Sequence, residues 1–497
     1  MKNKWLVGLL LFFLLIAGFY FRLKGISDNH SFWQDEAFVA VLSRDVLTNS
    51  KTMIQAIQSL SYQPLHVLTV TVFMKIFGIS EFAARLPSVI YGTSGILAIY
   101  LLVGELIDKR GGLFAAFFYT FFQMNLANST QAKPYAAIET LFLFALYFLV
   151  LLDRRKKNRW LHLIFIFTAS LASGYHYLGA LIWIPYLFFL IVNSRNLFKP
   201  IIKKPLLLFT VFLSSLIVFL LISGPTLISD LFTPIKGNLL FPFNNLIYLK
   251  EIFLHQYLFI TIPVVIEIYL LIKSRKSFGL SLVIFTLFYL YLWTFKQSTH
   301  NMRYILPLFG VLVALFSAFW GTVAAAVNKG RAVPILLIVT VITFISGYKI
   351  AKKPANYYTP NNDLYGDVQI ADYKSFYKDL MIKIPGYKDA AIFTNWGDAQ
   401  NWYLNRPANA YFIKGNYDKK PEKHSVDKVM IYGSLTQFLE EKSKYKTGLL
   451  IVEDWESLLP EDIKQYAKKS MKLEIRVDSL ADAKSDPWPL EVYSWGL

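Results

Sequence analysis

Two adjacent carboxylates, Asp35 and Glu36, lie among large aromatic side chains in the segment FWQDEAF at residues 32–38. A carboxylate packed among aromatic rings loses part of its hydration, which raises its affinity for a proton. Such a base can take the proton of a hydroxyl group while the oxygen attacks an electrophile. The spacing also fits a simpler alternative, in which both carboxylates cap a surface helix or are solvated.

Basic side chains that could neutralise a phosphate group recur further along the chain. Arg85, Lys133 and Arg303 each lie at the edge of a long apolar stretch, and His176 lies between two tyrosines. A guanidinium group can bind phosphate oxygens with two parallel hydrogen bonds. The alternative is that each cation extends to lipid headgroups from a helix end. We favour function because all four are predicted on one face of a membrane.

Metal and redox chemistry receive little support from the residue types present. The chain contains no cysteine, which excludes disulfides, thiolate catalysis and cysteine-based zinc sites. Asp35 and Glu36 could bind a divalent ion, but adjacent carboxylates without histidine partners do not indicate one. We therefore expect no cofactor and assign no metal ligands, and participation of a divalent ion stays open.

The composition indicates a membrane protein. Hydrophobic residues make up 55% and charged residues only 17% of the 497 residues, against about 25% charged residues in soluble domains. The net charge of +18 does not indicate nucleic-acid binding, because residues 354–497 hold 19 basic and 21 acidic side chains and the whole excess precedes them. There it lies in short loops between apolar stretches, where Lys and Arg orient helices.

Apolar stretches long enough to cross a bilayer, about 20 residues, predict about eleven transmembrane helices. The first begins after Lys2 and Lys4 and has no small-residue cleavage site, so we expect an uncleaved helix rather than a signal peptide. A shorter apolar stretch at 64–78 contains His66 and Lys75, and we expect it to lie along the outer surface; the alternative is a short span. The predicted crossings lie near residues 5–22, 85–106, 111–128, 135–152, 159–174, 177–193, 205–223, 251–272, 278–295, 304–326 and 332–350.

The basic loops decide the predicted orientation. If 64–78 does not cross, the loops around residues 108–110, 154–159, 199–204 and 273–276 all fall on one side, together with the N-terminus. Positively charged loops remain in the cytoplasm. We therefore predict a cytoplasmic N-terminus in the cell membrane, a first outer loop at 23–84 that carries Asp35 and Glu36, and an extracytoplasmic C-terminal domain.

The chain divides near residue 350 into a transmembrane module, 1–350, and a soluble accessory domain, 351–497. Beyond a linker rich in Pro and Asn, short apolar runs alternate with amphipathic ones, which indicates a small α/β domain. Two helices are predicted at Leu435–Tyr445 and Pro460–Lys469. The predicted strands are Ala390–Asn395, Val429–Gly433, Gly448–Val452, Leu473–Val477 and Leu490–Ser494.

Taken together in chain order, several motifs resemble the GT-C superfamily of membrane glycosyltransferases. The similarity is to glycosyltransferase family 39, which includes protein O-mannosyltransferases, and to lipid A aminoarabinose transferases. Gln63, Gln131 and Lys133 depart from the family pattern, which has Pro, Glu and Arg at these positions. The segments that carry the resemblance are WQDE at 33–36, QPLH at 63–66, FGISEFAARLPS at 77–88, QAKPY at 131–135, HY at 176–177 and RYILP at 303–307.

The resemblance implies a GT-C fold and transfer of a sugar from a polyprenyl-monophosphate donor to an acceptor hydroxyl, with inversion. The acceptor class, whether glycan, lipid or protein, stays open. The implied site has Asp35 as general base, with Glu36 orienting the motif or contacting the sugar. Arg85, Lys133, Arg303 and Tyr304 would bind the donor phosphate, while Trp33, His66, Tyr135 and His176 would line the substrate cavity.

Two other classes of function stay open at this point. A membrane transporter or lipid flippase would also have many apolar helices, although transporters more often show internal repeats and polar groups at mid-membrane depth. An assembly protein whose outer domain binds partners is the third alternative.

Overall fold

The computed structural model describes residues 4–27, 31–155, 158–193, 257–296, 302–327, 332–345, 350–351, 371–416, 420–424, 427–453, 458–478 and 489–497, with single residues 246, 249, 254 and 354. The chain forms two compact units. The first, called here the helical unit, comprises Met1–Lys24, Met53–Phe73 and Arg85–Ala355. The second, called here the sheet unit, comprises Gly25–Thr52, Met74–Ala84 and Asn356–Leu497.

Apolar helices build the helical unit, and five helices of the described chain are long and apolar enough to cross a membrane. These five are Trp5–Leu23, Glu81–Leu106, Tyr135–Arg154, Lys276–Phe295 and Leu306–Ala326. The helices up to residue 192, apart from one in the sheet unit, are α1 Lys4–Leu23, α3 Met53–Ser59, α4 Pro64–Phe77, α5 Glu81–Leu106, α6 Lys109–Phe121, α7 Gln123–Asn128, α8 Tyr135–Arg154, α9 Arg159–Tyr175 and α10 Trp183–Val192. Those after residue 257 are α11 Leu258–Ser274, α12 Lys276–Tyr291, α13 Leu306–Ala326 and α14 Ala332–Ile345.

Ten of the eleven predicted crossings coincide with helical segments. The remaining one, at 205–223, lies outside the described residues, as do much of the predicted outer loop at 225–250 and the predicted linker. The stretch at 64–78 forms the 14-residue helix α4, shorter than the roughly 20 residues that a perpendicular crossing needs. The helical fold is thus confirmed, while the number of crossings stays a prediction.

A buried arginine and a glycine fix the packing of α1 against α5 and α6. The Arg22 guanidinium donates hydrogen bonds to the carbonyl oxygens of Gly18 at 3.1 Å, Tyr119 at 3.2 Å and Thr120 at 3.3 Å. A buried cation needs such partners to offset its lost hydration. A Cβ atom on Gly92 of α5 would lie 2.2 Å from the Ser129 hydroxyl and 2.9 Å from Arg22 Nε. Only glycine allows this approach.

The sheet unit contains a seven-stranded mixed sheet. All five predicted strands and both predicted helices are confirmed, whereas the strands Ala410–Phe412 and Glu422–Lys423 and the helices Tyr373–Lys383 and Asp398–Leu404 were not predicted. The strands are β1 Ala391–Thr394, β2 Ala410–Phe412, β3 Glu422–Lys423, β4 Met430–Tyr432, β5 Gly448–Glu453, β6 Lys472–Asp478 and β7 Pro489–Trp495. The helices are α2 Gln34–Leu47, α15 Tyr373–Lys383, α16 Asp398–Leu404, α17 Leu435–Ser443 and α18 Glu461–Ser470.

The strand order β3-β4-β2-β1-β5-β7-β6 creates a switch point between β1 and β5. These strands run parallel, with Ala391 opposite Gly448 and Thr394 opposite Ile451. From β1 the chain continues to β2 on one side, and from β5 it continues to β6 and β7 on the other. The connections that follow two such strands leave in opposite directions. Open α/β sheets commonly bind ligands in the crevice that this leaves outside the carboxyl ends of the strands.

Residues of the first outer loop pack within the sheet unit. The predicted division at residue 350 follows chain position, whereas the compact units follow contacts, so Gly25–Thr52 and Met74–Ala84 join the C-terminal residues. Helix α2 is an example: its Arg44 guanidinium donates to the carbonyl oxygen and the side-chain oxygen of Asn401 in α16, both at 2.9 Å. The segment with the paired carboxylates is therefore part of the sheet unit.

We predict that Gly92→Ala lowers the thermal stability of the purified chain, since its methyl group would displace Ser129 and Arg22. Overpacking of this kind costs about 1–3 kcal/mol. The measurement is the unfolding midpoint in detergent. Gly104→Ala is the matched control in the same helix, because a Cβ there meets nothing within 4 Å. Equal midpoints for the two variants would contradict the packing argument.

Candidate active site

The two adjacent carboxylates of the motif have different surroundings. Glu36 is fully buried, and its Oε2 accepts the Trp33 backbone N–H at 3.1 Å. This bond caps the first turn of α2, as the simpler alternative for the motif proposed. Asp35, in the same turn, is only partly buried. Of the two carboxylates, Asp35 is therefore the more exposed one.

The buried amide of Gln34 joins α2 to the carboxyl edge of the sheet. Its Nε2 donates to Glu453 Oε2 at the end of β5, and its Oε1 accepts the Ala399 N–H of α16 at 3.0 Å. The second oxygen of Glu453 accepts the hydroxyl of Tyr373. The motif segment thus lies at the switch point of its own sheet unit.

Glu453 is a buried carboxyl held between two strands. Its backbone N–H donates to Asn395 Oδ1 at 2.9 Å, and Asn395 returns a bond to the Glu453 carbonyl oxygen. Burial raises the pKa of Glu453 to about 8, although the hydrogen bond from Gln34 acts to lower that pKa. The side chain is therefore mostly protonated at neutral pH.

Aromatic contacts fix the chain on the N-terminal side of the motif. The Phe32 ring lies 5.1 Å from the Trp402 ring, and the Phe32 N–H donates to the Tyr403 hydroxyl at 2.7 Å. The rings of Trp33 and Tyr373 are 6.4 Å apart. The first turn of α2 is consequently supported on both sides by C-terminal residues.

A third carboxyl, Asp398, lies close enough to Asp35 for the two charges to interact. Burial first, and then the charge of Asp35, raise the pKa of Asp398 to about 7. The Trp396 indole N–H donates to Asp398 at 3.2 Å. No motif predicted Asp398 as a site residue, although a carboxylate close to an aromatic residue just after a predicted strand was a usable signal.

The loop before α8 contains the predicted residue Lys133 and is contacted by a second one, His66. His66 Nε2 lies 3.1 Å from the Ala132 carbonyl oxygen, so that nitrogen carries a proton. The Ser88 hydroxyl donates to the Lys133 carbonyl oxygen at 3.0 Å. Arg85 and Lys133 are both buried, and a buried cation interacts more strongly with an anion than a solvated one does.

Three predicted residues, Tyr135, His176 and Tyr304, form a chain of rings with Trp293 in the helical unit. The Tyr135 ring lies 5.7 Å from His176 and 6.0 Å from Tyr304, and Tyr304 stacks on Trp293 at 4.7 Å. His176 Nδ1 accepts the Leu178 N–H at 3.1 Å, so a neutral imidazole carries its proton on Nε2. Arg303 lies in the short helix Met302–Ile305, and its side chain is outside the described residues.

The predicted site residues thus fall into two groups. Trp33, Asp35 and Glu36 lie in the sheet unit, and the other seven lie in the helical unit. Within the described residues no group of three acidic or histidine side chains is arranged to hold a metal ion. Gln34, Glu453 and Asp398 are additional polar residues that the sequence analysis gave no role.

Comparison with known families identifies the class of protein. Residues 61–223 match the family described as dolichyl-phosphate-mannose-protein mannosyltransferase. Together with the fold, this match confirms the predicted resemblance to GT-C membrane glycosyltransferases and the expected enzyme class, a glycosyltransferase. The transporter alternative is not favoured. No curated protein sequence matches the chain significantly.

The particular solved structures that resemble the chain share its fold at low identity. ArnT from Cupriavidus metallidurans superposes with a TM-score of 0.64 in its apo state, at 12% identity over 99% of this chain and 98% of ArnT. ArnT bound to undecaprenyl phosphate gives 0.62 at 13% identity, with the same coverage of both chains. The archaeal oligosaccharyltransferase AglB from Archaeoglobus fulgidus, in complex with an inhibitory peptide and a dolichol-phosphate, gives 0.54 at 12% identity over 90% of this chain and 70% of AglB.

We predict that stability falls as pH rises from about 4.5 to about 8, because folded Glu453 keeps a proton that the unfolded chain releases over this range. Glu453→Gln removes this proton and should reduce the fall. The measurement is the unfolding midpoint at pH 5 and pH 8.5 in detergent. Glu461→Gln, at an exposed side chain, is the matched control. An unchanged pH dependence in Glu453→Gln would contradict the assignment.

Proposed function

We propose that the chain transfers a sugar from a polyprenyl-monophosphate donor to an acceptor hydroxyl at the outer face of the cell membrane. The observation that carries this proposal is the partly exposed Asp35 at the start of α2, beside a buried Glu36 whose Oε2 caps the helix. The mannosyltransferase family match supports the sugar donor class. ArnT bound to undecaprenyl phosphate and AglB with a dolichol-phosphate support a polyprenyl phosphate as the carrier.

In the proposed reaction, Asp35 acts as the general base. The acceptor oxygen forms a bond to the anomeric carbon as its proton passes to the Asp35 carboxylate. The bond from the anomeric carbon to the phosphate oxygen breaks on the opposite face, so the configuration inverts. Polyprenyl phosphate leaves with the bonding electrons. Glu36 holds the turn that presents Asp35.

The departing phosphate gains charge, and cations placed in advance lower the energy of that change. We assign this role to Arg85, Lys133 and Arg303, with the Tyr304 hydroxyl as a further donor. The burial of Arg85 and Lys133 supports the assignment, because a buried cation attracts a phosphate group more strongly than a solvated one does. Trp33, His66, Tyr135 and His176 are proposed to line the substrate cavity.

The proposed orientation has a cytoplasmic N-terminus and an extracytoplasmic sheet unit. The positive-inside distribution of the basic loops supports it. In this arrangement the donor enters from the outer leaflet, and its sugar is already activated by the phosphate. A nucleotide site is then unnecessary.

Asp35→Asn is predicted to lower turnover by about 10²–10⁴, the usual contribution of a positioned base. The purified chain would be reconstituted with a panel of polyprenyl-phosphate sugars and a membrane extract that supplies acceptors. The measurement is release of free polyprenyl phosphate. Asp379→Asn, in the exposed ion pair with Lys383, is the matched control and keeps the wild-type rate. Wild-type turnover in Asp35→Asn would refute the base assignment.

Arg303→Ala is predicted to raise the donor KM more than Lys276→Ala does. Loss of a phosphate contact weakens donor binding, whereas Lys276 is an exposed residue at the start of α12 on the predicted cytoplasmic side. The measurement is the dependence of the rate on donor concentration in the same assay. Equal KM changes in both variants would argue against the phosphate role.

A further inference from the structure

Asp398 is a carboxyl with no role in the mechanism so far, yet the packing of the sheet unit places it beside the proposed base. It is the first residue of α16. Two points fix α16 against α2: the Ala399 N–H bonds to Gln34 at 3.0 Å, and Arg44 bonds to Asn401. Because Gln34 and Ala399 are the chain neighbours of Asp35 and Asp398, one hydrogen bond sets the relative position of both carboxyls.

The other side of Asp398 faces a second polar cluster. His424 Nδ1 lies 2.8 Å from Asp427 Oδ1, and Asp427 also accepts the Tyr411 hydroxyl and the Val429 N–H. The charges of His424 and Asp427 both reach Asp398, and Lys51 faces His424. The charged groups around Asp398 are therefore Asp35 from α2, His424 and Asp427 from the β3–β4 segment, and Lys51 behind His424.

We propose that Asp398 is a positioning residue for the reaction: its carboxylate, held beside Asp35 by the packing of α16 on α2, makes Asp35 a stronger base. This inference rests on the proposed role of Asp35. It adds a residue from the C-terminal part of the chain to the chemistry of the first outer loop.

The physical basis is the coupling of two carboxylates. The interaction between two charges is reciprocal, so if the charge of Asp35 disfavours ionisation of Asp398, an ionised Asp398 equally raises the proton affinity of Asp35. The pKa of Asp398 is about 7. The wild-type rate should accordingly increase as the pH rises through about 7, because Asp398 becomes charged there and Asp35 becomes a stronger base.

The deciding measurement is the pH dependence of polyprenyl-phosphate release from pH 5 to 9 at saturating donor. In Asp398→Asn the rise near pH 7 should disappear, and the rate above pH 8 should fall about three- to tenfold, since proton transfer follows base strength fractionally. Asp398→Glu keeps a carboxyl and should retain the rise near neutral pH. Asp379→Asn is the matched control for loss of one acidic charge in the same unit and should keep the wild-type profile.

A purely structural role for Asp398 predicts something different. It would lower the rate by the same factor at every pH and leave the rise near pH 7 in place, and that result would overturn the inference. The proposed function is tested separately by Asp35→Asn. Wild-type turnover in Asp35→Asn refutes the role of Asp35 as the base. If Asp35→Asn is inactive but Asp398→Asn keeps the wild-type pH dependence of the rate, only the coupling of Asp398 to Asp35 is refuted.

A second variant keeps the test decisive if Asp398→Asn fails to fold. His424→Gln removes an imidazole whose protonated form favours ionised Asp398, and it takes from Asp427 the partner of its Oδ1. Both changes disfavour the charged form of Asp398, so the increase in rate near neutral pH should move to higher pH. A rise that stays in place in the folded His424→Gln variant would count against Asp398 as its origin.

Discussion

The hydrogen bonds of one buried amide, Gln34, hold together the part of the protein on which the proposed chemistry depends. The amide donates to Glu453 at the end of β5 and accepts from Ala399 at the start of α16. A buried amide whose donor and acceptor are both used fixes position and orientation, because leaving either group unpaired costs about 1–3 kcal/mol. The next residue along the chain is Asp35, so its location follows from that of Gln34.

The two adjacent carboxylates of this motif, Asp35 and Glu36, have different surroundings. Adjacent residues of a helix point in directions roughly 100° apart, so Asp35 and Glu36 cannot share one environment. Glu36 points inward and satisfies the Trp33 N–H at the helix start, whereas Asp35 stays partly exposed. Two identical functional groups thus acquire different environments from the geometry of one turn.

The sheet contributes to this site through its topology. Strands β1 and β5 are parallel neighbours whose connections leave in opposite directions, and the crevice at such a point is where open α/β sheets commonly hold a ligand. Here a segment of the same chain, residues 33–36, contacts that edge. The sheet unit therefore positions the candidate base.

The local pattern of the sequence determined which elements form. Apolar stretches predicted ten helical segments that the structure contains, and alternating runs predicted β1, β4, β5, β6 and β7, because hydrophobic periodicity reflects which faces are buried. Motifs also identified the enzyme class and the carboxylate pair. Strands β2 and β3, with three and two residues, were too short to produce a detectable pattern.

Only the tertiary structure decided the partners of the motif. Gln34 and Glu453 are 419 positions apart, and no local signal specifies a contact across such a distance. The same holds for Asp398 beside Asp35, whose proximity depends on how α16 packs against α2. Periodicity is a property of neighbouring residues, whereas the electrostatic environment of a carboxyl depends on every charge that folding brings near it.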